Sequence, residues 1–148
     1  MTWKPHVTVA AIIENEGKYL MIEEVCNGKT VINQPAGHLE DKETLINAVI
    51  RETLEESAWH FTPEIITGIY QWTAPSSGKT YLRVCFYGSC NHHEPERRLD
   101  DDIIRSLWLS RNELLHAPLR SPLVLLGIDD YLAGKRYPLE LLTSLSPD

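Results

Sequence analysis

The stretch GHLEDKETLINAVIRETLEESAW, residues 37–59, decides the fold because it crowds carboxylates beside an apolar pattern. Glu52, Glu55 and Glu56 stand within five positions of one another. In a helix, residues three and four apart lie side by side, so these like charges repel one another. The repulsion grows when the groups are partly removed from water. Such crowding is unfavourable unless something compensates the charge.

A helix is predicted over this stretch, with Asp41 as its N-cap, Glu43 in its first turn and its end near Ser57. At about 100° per residue, one arc of about 140° collects the apolar positions. That arc is formed by Leu45, Ile46, Val49, Ile50 and Thr53. Glu56 falls inside its edge and Glu52 lies next to it, so both carboxylates are predicted at the border of the buried face.

Two interpretations of the acidic helix remain open on geometry alone. A divalent cation among the carboxylates would relieve their repulsion, and Mg²⁺ prefers a few carboxylates together with water and phosphate oxygens. The other interpretation is a solvated acidic face with Arg51 as its local partner. The spacing by itself favours neither.

Composition and charge limit the possible classes of protein. The 148 residues suit one domain, residues 1–148, with 43% hydrophobic and 24% charged residues. No run is long enough for a membrane span, and no signal peptide precedes the first strand, so a cytoplasmic location is expected. The net charge of −7 and the lack of a basic stripe argue against extended nucleic-acid binding. The 3 cysteines have no zinc or disulfide spacing.

The remaining elements are mainly strands. They are predicted at residues 6–13, 18–25, 30–33, 65–72, 80–87 and 104–109. The first two are predicted to form a hairpin across the turn at residues 14–17. Ser110 is predicted to cap a short helix that ends at Leu115, and a last helix is predicted at residues 122–133. Strands grouped around one long helix indicate an α/β or α+β sandwich with a mixed sheet.

The acidic segment resembles the signature of the Nudix hydrolases, G-x5-E-x7-R-E-U-x-E-E-x-G-U, where U is a bulky apolar residue. Gly37 is followed after five residues by Glu43, and after seven more by Arg51 and the three glutamates. Two positions depart from the signature. Ala58 replaces the second glycine, and Thr53 stands where an aliphatic residue is usual. If the helix exit needs a positive φ, Ala58 costs about 1 kcal/mol.

The resemblance implies a Nudix fold, a mixed sheet sandwiched by helices, and Mg²⁺-dependent hydrolysis of a phosphoanhydride, with Mn²⁺ as a possible substitute. It implies a metal site formed by the backbone carbonyl of Gly37 and the carboxylates of Glu52, Glu55 and Glu56. It also implies that Arg51 orients these carboxylates. Glu43 either joins that network or is a plain acid of the first helical turn.

The general base is less defined by the resemblance. It is often one of the glutamates of the signature, here Glu52 or Glu55, or a carboxylate on a later loop. Asp102, which stands nearest the strand that follows the acidic loop at residues 94–102, is the loop candidate. A solvated acidic loop is the alternative interpretation.

Candidate substrate contacts come from other parts of the chain. Arg83 lies in an apolar strand and Arg120 in a Leu-Arg-Ser-Pro segment. Each either contacts phosphate or forms a structural salt bridge. His38 either touches substrate or is a surface histidine. Trp72 and Tyr81 offer rings for stacking on a base, but core packing is the favoured interpretation.

Flanking segments such as HVTVAAII, GKYLMIEE and QWTAP resemble a group of phosphatases within the Nudix family. This likeness implies release of orthophosphate from nucleoside tri- and diphosphates and from the thiamine precursor 4-amino-5-hydroxymethyl-2-methylpyrimidine diphosphate. It also implies a monomer that binds a small-molecule substrate, while the charge and the lack of long apolar runs argue against extended nucleic acid and membrane as partners. The alternatives are a pyrophosphohydrolase that releases pyrophosphate and a Nudix-fold binding module without catalysis.

Overall fold

The computed structural model describes residues 2–145, which contain nine strands and three α-helices. The strands are β1 (His6–Ile12), β2 (Glu14–Asn15), β3 (Lys18–Cys26), β4 (Lys29–Asn33), β5 (Ala36–His38), β6 (Trp59–Thr73), β7 (Thr80–His93), β8 (Ile103–Ser110) and β9 (Tyr137–Pro138). The helices are α1 (Leu45–Ser57), α2 (Arg111–Leu114) and α3 (Leu123–Leu132), with a 3₁₀ turn at Leu139–Leu141.

The strands form two sheets, and both sheets contribute side chains to each of two buried clusters. The first sheet has the order β5-β1-β7-β6-β9. It is mixed, because β1 runs parallel to β7 while its other pairs are antiparallel. In the second sheet β3 pairs with β2, β4 and β8, all antiparallel. None of the described helices is long and apolar enough to span a bilayer.

The alternating side chains of β1 create a separate core on each face of the first sheet. Val9 and Ala11 belong to one buried cluster with Val49 of α1. Ala10 belongs to the other cluster, with Ile128 of α3. Helices therefore cover both faces, and the predicted sandwich with a mixed sheet is confirmed.

The hairpin predicted for the first two strands is wrong. The turn is correct, since Glu16 and Gly17 both have positive φ, and β2 pairs with the start of β3. However, β1 does not belong to the second sheet, because it pairs with β5 and β7 of the first sheet. The turn residues encode the local reversal, but the parallel partner of β1 lies about 75 residues further along the chain, as the pairing of Val9 with Val84 shows.

The strands β6 and β7 are longer than predicted. The strand β6 begins at Trp59, well before the predicted start at residue 65, and β7 ends at His93, well after the predicted end at residue 87. Pro63 breaks the strand pattern in the sequence, since proline cannot donate to a ladder. The structure accommodates it at an irregularity in the register, where Pro63 lies opposite Gly88.

The helix α1 begins later than predicted. Its N-cap is Thr44, whose hydroxyl accepts a hydrogen bond from the backbone N–H of Asn47 at 3.1 Å. Asp41 therefore lies outside the helix, and Glu43 precedes the cap instead of standing in the first turn. At the other end Ala58 has φ 64°, which is the left-handed exit for which the signature uses glycine. Thr53 is fully buried, and its hydroxyl donates to the Val49 carbonyl at 2.8 Å.

Candidate active site

Arg51 is the hub of the acidic helix. Its guanidinium donates to Glu43 at 2.6 and 2.9 Å, to Glu52 at 2.8 Å and to Glu55 at 3.3 Å. It also donates to the backbone carbonyl of His38 at 3.1 Å, which ties α1 to β5. The hydrogen bonds from Arg51 lower the pKa of Glu43. Glu43 is thus part of the network and not a free acid near the helix start.

Gly37 provides space for the carboxylate of Glu52. A methyl group built on Gly37 would lie 2.1 Å from the Glu52 carboxyl carbon and 2.3 Å from both of its oxygens. No side chain larger than hydrogen fits there while Glu52 keeps its position. The first glycine of the signature is therefore explained by close approach of a carboxylate to the backbone.

Three carboxylates meet next to this contact. One ligand oxygen from each of Glu52, Glu55 and Asp100 lies within 4.8 Å of the others. Asp100 is held in place because its backbone N–H donates to the Glu55 carbonyl at 3.1 Å. Oxygen donors from several carboxylates at this separation suit a hard divalent cation. The donor set therefore fits the divalent metal that the resemblance to the Nudix signature implies.

The structure brings Asp100, and not Asp102, to the carboxylate cluster. Asp102 is exposed and its backbone carbonyl accepts from Val25 at 3.0 Å, so it anchors the loop to the edge of β3. A catalytic role for Asp102 stays a prediction without support from this position.

Glu56 lies deeper than the other helix carboxylates. It is 8% exposed, and its Oε1 accepts a hydrogen bond from the Ala36 backbone N–H at 2.9 Å. Burial raises the pKa of Glu56 well above its usual range. Burial also raises the pKa of Glu52 to about 7, although its hydrogen bond from Arg51 acts in the opposite direction. A cation bound nearby would stabilise the ionised form of both carboxylates, because its positive charge compensates for the hydration that burial removes.

Glu52 and Glu56 line one wall of a cleft of about 550 Å³. That volume lies in the range of small-molecule sites. Arg83, Arg120 and Lys79 line the same cleft, so carboxylates and cations face one space. Mixed charge of this kind suits a substrate whose phosphates meet both a cation site and basic side chains.

The two candidate arginines are placed differently. Arg120 is exposed and forms an ion pair with Glu24, which is itself 6% exposed. Arg83 is 8% exposed and donates one hydrogen bond, 3.4 Å long, to the Gln34 side chain. Within residues 2–145 it forms no ion pair. The salt-bridge interpretation therefore holds for Arg120 and not for Arg83.

A row of aromatic rings borders the cleft. Trp72 stacks on Tyr81 with centroids 6.0 Å apart, and Tyr81 contacts His6 at 5.3 Å. His6 meets the exposed His38 edge to face at 5.5 Å. Trp72, Tyr81 and His38 line the cleft, and none belongs to either core cluster. The core packing favoured for Trp72 and Tyr81 is wrong, because their strands continue beyond the helices that cover the sheet.

The sequence interpretation missed several residues of this cleft. Thr8 and Glu24 both interrupt apolar strands with a polar side chain. Strand alternation places Thr8 on the same face as Ala10, which is a signal that sequence alone provides. For Asn33 and Lys79 the sequence offers no comparable signal, since each stands among other polar residues near a loop.

The fold and the acidic helix together define a class of enzyme. The family model described as NUDIX domain matches residues 4–125, and the chain belongs to this family of hydrolases, which act on phosphorus-containing anhydrides. The sequence signature and its predicted architecture are thereby confirmed.

Individual relatives show which members of the family the chain resembles. Phosphatase NudJ of Escherichia coli (strain K12) is 45% identical over 141 residues, which cover 95% of this chain and 92% of that protein. A solved NUDIX hydrolase from Nitrosomonas europaea is 49% identical with a TM-score of 0.96, covering 98% of this chain and 100% of that one. A MutT protein from Methanosarcina mazei Go1, with 23% identity, TM-score 0.72 and coverage of 91% and 99%, shares the fold. The predicted likeness to a phosphatase group of the family is therefore confirmed.

Proposed function

We propose that this protein is a Mg²⁺-dependent phosphatase that releases orthophosphate from nucleoside tri- and diphosphates and from the diphosphate of the thiamine-precursor hydroxymethylpyrimidine. The observation that carries the proposal is the meeting of Glu52, Glu55 and Asp100 within 4.8 Å beside a substrate-sized cleft. The 45% identity to phosphatase NudJ supports orthophosphate as the product.

The cation would be held by Glu52, Glu55 and Asp100, with Glu56 and the Gly37 carbonyl as the further ligands that the signature implies. When bound, it would supply positive charge for the phosphate oxygens and lower the pKa of a water molecule. Mg²⁺ is proposed because it accepts carboxylates together with substrate phosphates, and Mn²⁺ takes the same oxygen ligands.

The residues around the cation have separate tasks. Arg51 holds Glu52 and Glu55 at fixed positions, and Glu43 keeps Arg51 in place with two hydrogen bonds. Glu55 has the most exposed carboxylate of the three on the helix, with 32% of its side chain accessible, which suits it to take a proton from the attacking water. Asp102 remains the alternative base predicted from the sequence.

The cleft beyond the carboxylates fits a substrate that has both phosphates and a ring. His38 is proposed as a contact to the substrate because it lines the cleft. Arg120 lines the same cleft and is proposed as a second contact in addition to its ion pair with Glu24. Trp72 and Tyr81 present stacked rings at the same opening, and stacking on an aromatic side chain tolerates different bases. This tolerance agrees with a broad substrate range that includes a pyrimidine. The cytoplasmic location, the monomeric state and the single domain over residues 1–148 stay predictions.

The test is a product assay on purified protein. Nucleoside tri- and diphosphates and the pyrimidine diphosphate would each be incubated with and without Mg²⁺, and orthophosphate and pyrophosphate would be measured separately. We expect orthophosphate that depends on Mg²⁺ and on Glu55, so that Glu55→Gln loses activity. Glu64→Gln makes the same chemical change at an exposed position on β6 and should keep it. Pyrophosphate as the main product would contradict the phosphatase assignment and favour a pyrophosphohydrolase.

A further inference from the structure

The floor of the cleft is the part of the first sheet that the helices leave open. In the parallel pairing of β1 with β7, Thr8 lies opposite Arg83, one alternation beyond the buried pair Ala10 and Cys85. Ala10 and Cys85 belong to the core cluster covered by α3. Thr8 and Arg83 point to the same face but line the cleft. Two polar side chains therefore stand where the apolar cover ends.

Both side chains have buried polar atoms without a partner. Among residues 2–145, the buried side-chain nitrogen and oxygen atoms that lack a hydrogen bond are the Thr8 hydroxyl and Arg83 Nε. Thr8 is 4% exposed and Arg83 is 8% exposed. Unsatisfied buried polar groups are rare in folded proteins because each loses its hydration without compensation. Their occurrence on adjacent strands of one cleft indicates that a ligand satisfies them.

Arg83 is oriented by Gln34 and has no carboxylate partner among the described residues. Gln34 is 1% exposed, and its amide nitrogen donates to the Ala11 carbonyl at 3.1 Å, so its oxygen is fixed toward Arg83. The described part of the chain contains no acidic group within 4.0 Å of the Arg83 guanidinium. The neighbouring Arg120, by contrast, is neutralised by Glu24. A buried and unpaired guanidinium is unfavourable unless a ligand brings the missing charge.

We propose that Thr8 and Arg83 form a phosphate-binding site, called here the Thr8–Arg83 site, that holds a phosphoryl group of the substrate away from the metal carboxylates. Guanidinium is suited to tetrahedral phosphate because its planar N–H groups donate to two oxygens, and the hydroxyl supplies a further donor. The proposal rests on the proposed function, since a phosphoanhydride has a second phosphate to place. The phosphate chain then runs between Glu52 and the Thr8–Arg83 site, which line one cleft.

The test uses Thr8→Val and Arg83→Met with two measurements. Binding of inorganic phosphate to the metal-free protein is measured by calorimetry at constant ionic strength, and KM and kcat are measured for a nucleoside diphosphate. We expect Thr8→Val to weaken phosphate binding about tenfold and Arg83→Met about a hundredfold, with KM rising in parallel. Thr8→Val should not melt below the wild type, because it removes a hydroxyl that the free protein leaves unsatisfied.

Thr67→Val is the matched control. Thr67 is fully buried on β6, and its hydroxyl donates to the Cys85 carbonyl at 3.2 Å. The same substitution there should lower the melting temperature and leave phosphate binding and KM unchanged. The opposite pattern at Thr8, a lower melting temperature with unchanged phosphate affinity, would assign it a purely structural role and overturn the proposal. So would Arg83→Met with wild-type phosphate affinity.

The phosphate titration separates this proposal from the proposed function. If no substrate is hydrolysed but phosphate binding is lost in both variants, the Thr8–Arg83 site stands and the phosphatase assignment fails. If hydrolysis proceeds with orthophosphate release but both variants bind phosphate and substrate as the wild type does, the phosphatase assignment stands and the Thr8–Arg83 site fails.

Discussion

Replacing Gly37 with alanine is the smallest change that should disable the metal site. Gly37 does not have a positive φ, so the backbone itself tolerates an alanine. The new methyl carbon would lie 2.1 Å from the carboxyl carbon of Glu52. Ordinary carbon–carbon contact begins at about 3.5 Å, so the carboxylate must retreat by about 1.4 Å.

That displacement removes Glu52 from the carboxylate cluster. A misplacement of about 1 Å at a catalytic group costs roughly a hundredfold in rate. We therefore expect Gly37→Ala to lower kcat about a hundredfold and to raise the metal concentration needed for half-maximal activity. Since 12% of the Glu52 side chain is accessible, the carboxylate can turn toward the cleft, and the loss of stability should stay near the lower end of the ~1–3 kcal/mol typical of overpacking.

Gly127→Ala is the control for this experiment. Gly127 lies within α3, and a methyl group there would meet Cys85 Sγ at 3.4 Å and Ile12 at 3.5 Å, which are ordinary contacts. Alanine is also the better helix former by about 1 kcal/mol. The variant should keep full activity with equal or higher stability. Wild-type metal dependence and kcat in Gly37→Ala would refute the argument that the glycine exists to admit the Glu52 carboxylate.

Three further predictions follow from the helix. Glu56→Gln should lower metal-dependent turnover at least about a hundredfold. The variant should melt no lower than the wild type, because the neutral amide can still accept the hydrogen bond from the Ala36 N–H. A lower melting temperature with retained turnover would contradict this. In the metal-free protein, the free energy of unfolding measured with urea should fall between about pH 4.5 and about pH 7. The reason is that the folded protein keeps the Glu52 proton up to a pKa of about 7, while the unfolded chain releases it near 4.5. The shift corresponds to on the order of 3 kcal/mol, and a stability that rises over this interval would show that Glu52 is ionised when folded. Ala58→Gly should stabilise the protein by about 1 kcal/mol without changing kcat, because residue 58 has φ 64°; thermal melting would show it, and destabilisation would mean that the lost methyl contact outweighs the relieved strain.

The acidic helix was predictable because its signals are local. The apolar spacing from Leu45 to Thr53 and the position of Glu56 at the border of the arc both follow from helical periodicity. The structure confirms that Glu52 and Glu56 are buried at that border. The helix start was missed by three residues because Asp41 and Thr44 are both good N-caps, and the choice depends on the chain path that leads Arg51 to Glu43.

The cleft was less predictable because its parts are joined by pairing between distant strands. Thr8 meets Arg83 only because β1 pairs with β7, and the sequence favoured a local hairpin instead. Trp72 and Tyr81 looked like core residues because aromatic strand residues usually are, and only the extent of the helical cover decides otherwise. Asp100 joins Glu55 through a backbone hydrogen bond of an irregular loop, for which the three successive aspartates give no preference.

The central claim is that Asp100 joins the glutamates of α1 in one divalent cation site. Titration of Mn²⁺ into wild-type protein, Asp100→Asn and Asp102→Asn, followed by electron paramagnetic resonance of the free ion, tests it most directly. We predict that the wild type and Asp102→Asn bind Mn²⁺ alike and that Asp100→Asn binds it about tenfold more weakly. Absence of binding by the wild type, or wild-type affinity in Asp100→Asn, would contradict the site described by Glu52, Glu55 and Asp100.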